Sequence, residues 1–203
     1  MNSLSNGLTR YFSSSQLQRL HSAHIGIIGA GGLGSNVATM LVRSGIRHLT
    51  LIDYDTVDAS NLNRQAFIPT DVDIPKVTAL AGHLRVLEPA LELTLHQCEV
   101  TVHNAERLMK DCSIIVEAVD DAATKVMLYE IFAPHTSFYV TASGMGGFGQ
   151  GEITPMRIRR LGNSTVAVGD FSTAADEKCP PLAPRVMQAA AMQADAVLTH
   201  ILS

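Results

Sequence analysis

Ile25-Gly26-Ile27-Ile28-Gly29-Ala30-Gly31-Gly32-Leu33-Gly34 carries an apolar run into a glycine cluster that opens a helical pattern. A strand, a glycine turn and a helix start, in that order, form the setting of a nucleotide phosphate site. One glycine permits the sharp turn and another lets backbone approach a phosphate. The helix N-terminus adds free N–H groups and partial positive charge. Glycines that merely allow close strand-to-helix packing would look the same, and the turn by itself does not separate NAD from ATP.

Outward from this turn the chain alternates short β-rich runs with longer helical patterns, the order of an α/β, Rossmann-like doubly wound sheet. The first strand is His24 to Ile28 and its helix Gly32 to Ser44, stopped by Gly45. Strands are expected at His48 to Ile52, Leu91 to His96, Ser113 to Ala118 and Ser137 to Ala142. Helices are expected from Pro75 to about Leu87, Asn104 to Lys110 and Ala122 to Phe132. Glu152 to Arg160 alternates as an antiparallel strand continuing the sheet. From Val168 the sequence reads as a long loop, 169–184, and Arg185 to Leu202 as a C-terminal helix. No linker or repeat divides the 203 residues, so a single domain is expected, with 1–22 as an N-terminal arm or helix.

Hydrophobic residues make up 46% of the chain and charged residues 17%, the balance of a protein with a buried interior. A net charge of −4 gives no broad basic field, so nucleic acid is not favoured as a partner. No apolar run suits a bilayer, and residues 1–15 lack the apolar centre of a signal peptide, which together indicate a cytoplasmic protein with no membrane partner. Cys98, Cys112 and Cys179 form neither a disulfide framework nor a CxxC pair. Cys98 and Cys112 fall in or beside expected buried elements, as small hydrophobes.

The segment after the second strand discriminates between nucleotides: Asp53-Tyr-Asp-Thr-Val-Asp-Ala-Ser-Asn61-Leu-Asn-Arg64-Gln65, then Pro75-Lys76. Asp53 can accept hydrogen bonds from ribose hydroxyls. A nicotinamide enzyme has no use for an arginine and a lysine converging on the same mouth, whereas a triphosphate gives both a task. Asp120, just past the fourth strand, stands where a magnesium ion would bridge phosphate oxygens. One acid for ribose, two cations for phosphate and one acid for metal describe an adenylation site.

GxGGxG, DxDxVxxSNLNRQ, PK and an acid pair after the fourth strand together resemble the ThiF and MoeB superfamily, which includes the adenylation domains of ubiquitin-activating enzymes. SNLNRQ, VEAVDDA, ASGMGGFG and APRV are most similar to its short second ThiF-type family, associated with thiamine biosynthesis; the resemblance runs from about residue 8 to the C-terminus. It implies an ATP-dependent enzyme, a sulfur carrier protein adenylyltransferase. Such an enzyme activates the C-terminal Gly-Gly carboxylate of a ubiquitin-like sulfur carrier, ThiS in this branch, as an acyl-adenylate with release of pyrophosphate. It also implies a homodimer. By position Asp53 matches the ribose-binding acid, Arg64 and Lys76 the phosphate ligands, and Asp120 the magnesium-linked acid. Gly29, Gly31, Gly32, Gly34, Asp55, Asn61 and Gln65 complete the expected nucleotide site.

Three departures stand out. The two CxxC pairs that bind structural zinc in many relatives are missing, so no zinc site is expected. The arginine that relatives supply to a partner's ATP site has no counterpart at the usual spacing; Arg10 ranks ahead of Arg19, and either could equally be a surface arginine. Cys179 stands near the position of a cysteine that some relatives join to the carrier; beside Lys178 it is either a nucleophile or an ordinary loop residue. The second glycine cluster, Gly144 to Gly151, is either a channel for a Gly-Gly tail or a turn, with Met145 and Phe148 as a carrier patch or as core. An NAD(P)-dependent oxidoreductase and a non-catalytic carrier-binding module remain as alternatives.

Overall fold

A computed structural model describes residues 3–146, 154–176 and 179–203. The strands are β1 (His24–Ile28), β2 (His48–Ile52), β3 (Glu92–His96), β4 (Ile114–Glu117), β5 (Phe138–Ala142), β6 (Arg157–Arg160) and β7 (Thr165–Gly169). They form one seven-stranded sheet in the order β3-β2-β1-β4-β5-β7-β6. Every pairing is parallel except β6 with β7. The central strands are near-continuous apolar runs because helices cover both faces.

The helices are α1 (Ser3–Leu8), α2 (Ser14–Ser22), α3 (Gly32–Arg43), α4 (Lys76–Leu87), α5 (Ala105–Leu108), α6 (Ala122–Phe132) and α7 (Ala183–Leu202). A capping box between Ser13 and Gln16 starts α2. Asp121 caps α6 by accepting from the Thr124 N–H at 2.7 Å. The Ala-rich face of α7, including Ala189, Ala190, Ala194 and Val197, is buried, and its small side chains let it lie close along α3. Among the described residues no helix is long and apolar enough to cross a membrane.

One strand has no counterpart in the sequence reading. Thr165–Gly169, Thr-Val-Ala-Val-Gly, is a fully buried strand between β5 and β6, and the loop expected from Val168 begins at Asp170. The antiparallel strand at 152–160 is shorter than expected, Arg157–Arg160, and Glu152 lies outside the described residues. Elsewhere the boundaries shift by a residue or two; the helix expected from Asn104 to Lys110 is only Ala105–Leu108.

Strand order reverses direction between β1 and β4, with β2 and β3 continuing to one side and β5 to the other. Ligands in sheets of this kind bind beyond the carboxyl ends of the strands at that reversal.

Candidate active site

At that position lies a cavity of about 1040 Å³. The glycine turn forms its base by close packing. Gly29 has φ of 96°, and a Cβ there would stand 2.6 Å from the Ala118 carbonyl oxygen at the end of β4. A Cβ on Gly34 would come within 1.8 Å of the Gly29 carbonyl oxygen, so the helix can begin this close to the strand only without one. Gly31 differs, because the nearest atom to a Cβ there is Gln65 Nε2 at 3.9 Å. That leaves room above the turn for a bulky anion.

Asp53 closes one side. Its carboxylate accepts from the Ala30 N–H at 2.6 Å and the Asp55 N–H at 2.8 Å. Burial pushes its pKa above the usual carboxylate range, against the pull of Lys76 and of these two N–H groups. Asp53 also lines the cavity, and each oxygen keeps a lone pair beyond its one backbone N–H, which suits hydrogen bonding to hydroxyls.

Helix α3 holds the next segment from behind. Asn36 Nδ2 donates to the Arg64 carbonyl at 3.0 Å and to that of Gly32 at 2.7 Å, while Ser35 Oγ accepts from the Ala66 N–H at 3.0 Å. Neither residue was singled out from sequence, although both sit in the first turns of the helix that follows the glycines. Asn61 closes a short 3-10 turn, Ala59–Asn61, and its Oδ1 accepts the Asp58 N–H at 3.2 Å. Arg64 then reaches the cavity wall with Nη1 donating to Ser60 O and Asn63 Oδ1, at 3.2 and 2.8 Å. Gln65 is buried, and its Oε1 has no hydrogen-bond partner among the described residues. Such an orphaned acceptor on a cavity wall suits a ligand donor.

Lys76 also lines the cavity, but its ammonium is engaged: Nζ donates to Asp55 Oδ2 at 2.6 Å. Asp55, expected to bind the nucleotide directly, is therefore first the ion-pair partner of a nearly buried lysine. Across the cavity stands Asp120, exposed and with no hydrogen bond from a described residue. Its neighbour Asp121 is committed to capping α6, and hydrogen bonds from Thr124 hold its pKa below the usual range. Asp53, Asp55, Asn61, Arg64, Gln65, Lys76 and Asp120 thus share one cavity with Gly29, Gly31 and Gly32.

Other candidates lie apart from it. Arg10 is exposed and follows α1, whose Leu8 packs against Gly45 just before β2, at the opposite end of the strands. Cys179 is half-buried and outside the cavity lining, in a turn where its N–H bonds Asp176 Oδ1 at 2.7 Å. Lys178 and Phe148 lie outside the described residues, and so do Gly147, Gly149 and Gly151 of the second cluster. Gly144 and Met145, which are described, do line the cavity. Cys112 is buried, and burial pushes its thiol pKa up, as fits a packing role. Cys98 is half-buried, packed against the second core cluster as a small hydrophobe while also bordering the cavity. Among the described residues there is no cluster of metal-ligating side chains.

The sequence also missed Glu117, whose carboxylate is fully buried at the end of β4 and bonded by Lys125 Nζ at 2.9 Å to each oxygen. An acid closing the apolar run Ile114-Ile115-Val116 was the available signal.

The chain is similar in sequence to several known enzymes. The tRNA threonylcarbamoyladenosine dehydratase of Escherichia coli (strain K12) is 33% identical over 155 residues, covering 75% of this chain and 56% of its own length. The Saccharomyces cerevisiae tRNA threonylcarbamoyladenosine dehydratase 2 is 34% identical over 155 residues, 74% of this chain and 34% of its own. The sulfur carrier protein ThiS adenylyltransferase of Bacillus subtilis (strain 168) is 33% identical over 135 residues, 65% of this chain and 40% of its own. The chain therefore spans only about a third to just over half of these relatives. The crystal structure of the E. coli dehydratase, TcdA, in complex with ATP superposes with a TM-score of 0.86 at 24% identity, covering 97% of this chain and 93% of that one, which establishes a common fold. Residues 5–203 match the ThiF family, and the chain belongs to that family.

Proposed function

We propose that the chain is a single ATP-dependent adenylation domain that activates the C-terminal Gly-Gly carboxylate of a ubiquitin-like sulfur carrier, of the ThiS type. The observation that carries this reading is the set Asp53, Arg64, Lys76 and Asp120 around one cavity above an open glycine turn. Asp53 takes the ribose, and Arg64 with Lys76 takes the phosphates. The carrier carboxylate, ionised at neutral pH, attacks the α-phosphorus; the bond from that phosphorus to the β-phosphate bridging oxygen breaks, and pyrophosphate leaves. No general base is needed, so catalysis rests on alignment and on cations placed where charge accumulates.

Magnesium fits the donor set. It binds phosphates with one or two protein carboxylates, and Asp120 offers an uncommitted carboxylate to the cavity. When bound there it would neutralise charge on the phosphate oxygens. Arg10 follows α1 at the opposite end of the strands and does not line the cavity of its own chain, so in this reading it would act in trans, within a homodimer. Cys179 is assigned no step.

A second substrate class is favoured by the 33% and 34% identity to tRNA threonylcarbamoyladenosine dehydratases: a carboxylate on a modified tRNA nucleoside, activated by the same cavity. ATP–pyrophosphate exchange, with magnesium and either ThiS or tRNA carrying threonylcarbamoyladenosine, separates the two. Exchange that needs ThiS and disappears in Asp120→Ala supports the carrier reading. Exchange with tRNA alone reassigns the substrate, and NAD binding without any exchange overturns adenylation.

A further inference from the structure

Glu117 and Lys125 connect two walls of the cavity. Lys125 Nζ spends two donors on the Glu117 carboxylate and its third on the Ala142 carbonyl at 3.0 Å, so the ammonium has no donor left for phosphate even though it borders the cavity. Glu117 in turn accepts from the Val119 N–H at 2.8 Å and from Thr141 Oγ1 at 2.5 Å. Its backbone carbonyl takes Gln193 Nε2 of α7 at 3.0 Å. Asp120 therefore stands between two fixed neighbours: Val119, tied through its amide to Glu117, and Asp121, tied through its carboxylate to Thr124.

The far end of the same brace is the end of the adjacent strand β5, where Ala142 leads into Ser143, Gly144 and Met145, which also line the cavity. That turn packs directly on β7: the Ser143 N–H donates to the Val168 carbonyl at 2.8 Å, and a Cβ on Gly169 would stand 1.6 Å from the Ser143 carbonyl oxygen. We propose that Glu117 and Lys125 are positioning residues: a buried brace that fixes the Asp120 turn relative to the Ser143–Met145 turn, so that the acid and the incoming carboxyl tail meet the same phosphate. The catalytic half of this proposal rests on the adenylation reading; the mechanical half does not.

Amide hydrogen exchange of the ligand-free protein tests the mechanical half, comparing wild type with Lys125→Met, Lys125→Arg and Thr141→Val. Loss of the brace in Lys125→Met should speed exchange at 119–121 and 143–145 together by about tenfold, with β1 and β2 unchanged. Lys125→Arg should recover most of the protection, and Thr141→Val gives the same reading if the methionine variant does not fold. Faster exchange at one turn only, or uniformly across the sheet, overturns the brace. In pyrophosphate exchange, Lys125→Met should lower kcat about tenfold or more while KM for ATP stays within about threefold. A rise in KM with kcat intact would instead make the pair merely structural. If wild type shows no pyrophosphate exchange with any substrate, the adenylation reading fails, and hydrogen exchange still decides the brace.

Discussion

Asp53 shows how one carboxylate couples pH to binding. Its pKa is raised chiefly by burial, so the folded state holds a proton more readily than the unfolded chain does. The contribution of Asp53 to stability therefore falls as pH rises from 3.8 through the raised value, while its ability to accept ribose hydroxyls grows across the same window. Adenosine carries no phosphate to confuse the titration, and calorimetry between about pH 7 and pH 4 should show its affinity falling on acidification, with that dependence absent in Asp53→Asn. Arg64 and Lys76 invite a different comparison. Arg64→Lys keeps the charge but not the planar fork, and should cost about tenfold or more in pyrophosphate exchange. Lys76→Met should cost about a hundredfold or more, because it removes a phosphate charge and also leaves Asp55 without the partner at 2.6 Å. The placement of Arg64 and Lys76 on one cavity was legible in SNLNRQ and Pro75-Lys76, because the residue types and their order after the second strand suit a triphosphate. The Lys76–Asp55 and Lys125–Glu117 pairs were not legible, since ion pairing across elements leaves no periodic trace in sequence.

At the level of elements, the glycine turn separates stability from binding. Gly34→Ala forces a Cβ within 1.8 Å of the Gly29 carbonyl, and should cost about 1–3 kcal/mol in denaturant unfolding. Gly31→Ala meets nothing closer than 3.9 Å, so unfolding should barely change while ATP affinity drops. Equal loss of stability in both variants would contradict the packing described for Gly34. The strands and helices around this turn were readable because each apolar run is long and is closed by Gly, Pro or Asp. Thr165–Gly169 was not readable, since a five-residue apolar run before Asp170, Phe171 and Ser172 carries no period that distinguishes a buried strand from the start of a loop. Its place between β5 and β6 is set by tertiary pairing.

Across the whole molecule the sheet brings residues from widely separated segments to one mouth: the turn after β1, the segment after β2, the start of α4 and the turn after β4. The strand order makes this convergence necessary, because β1 and β4 are neighbours whose crossovers lead to opposite sides. Intact-mass spectrometry of ThiS after incubation with ATP, magnesium and the protein tests the central claim most directly. The expected result is a carrier heavier by one AMP moiety, discharged by hydroxylamine and absent with Arg64→Ala. An unmodified carrier in a reaction that releases phosphate and ADP rather than pyrophosphate would contradict adenylation.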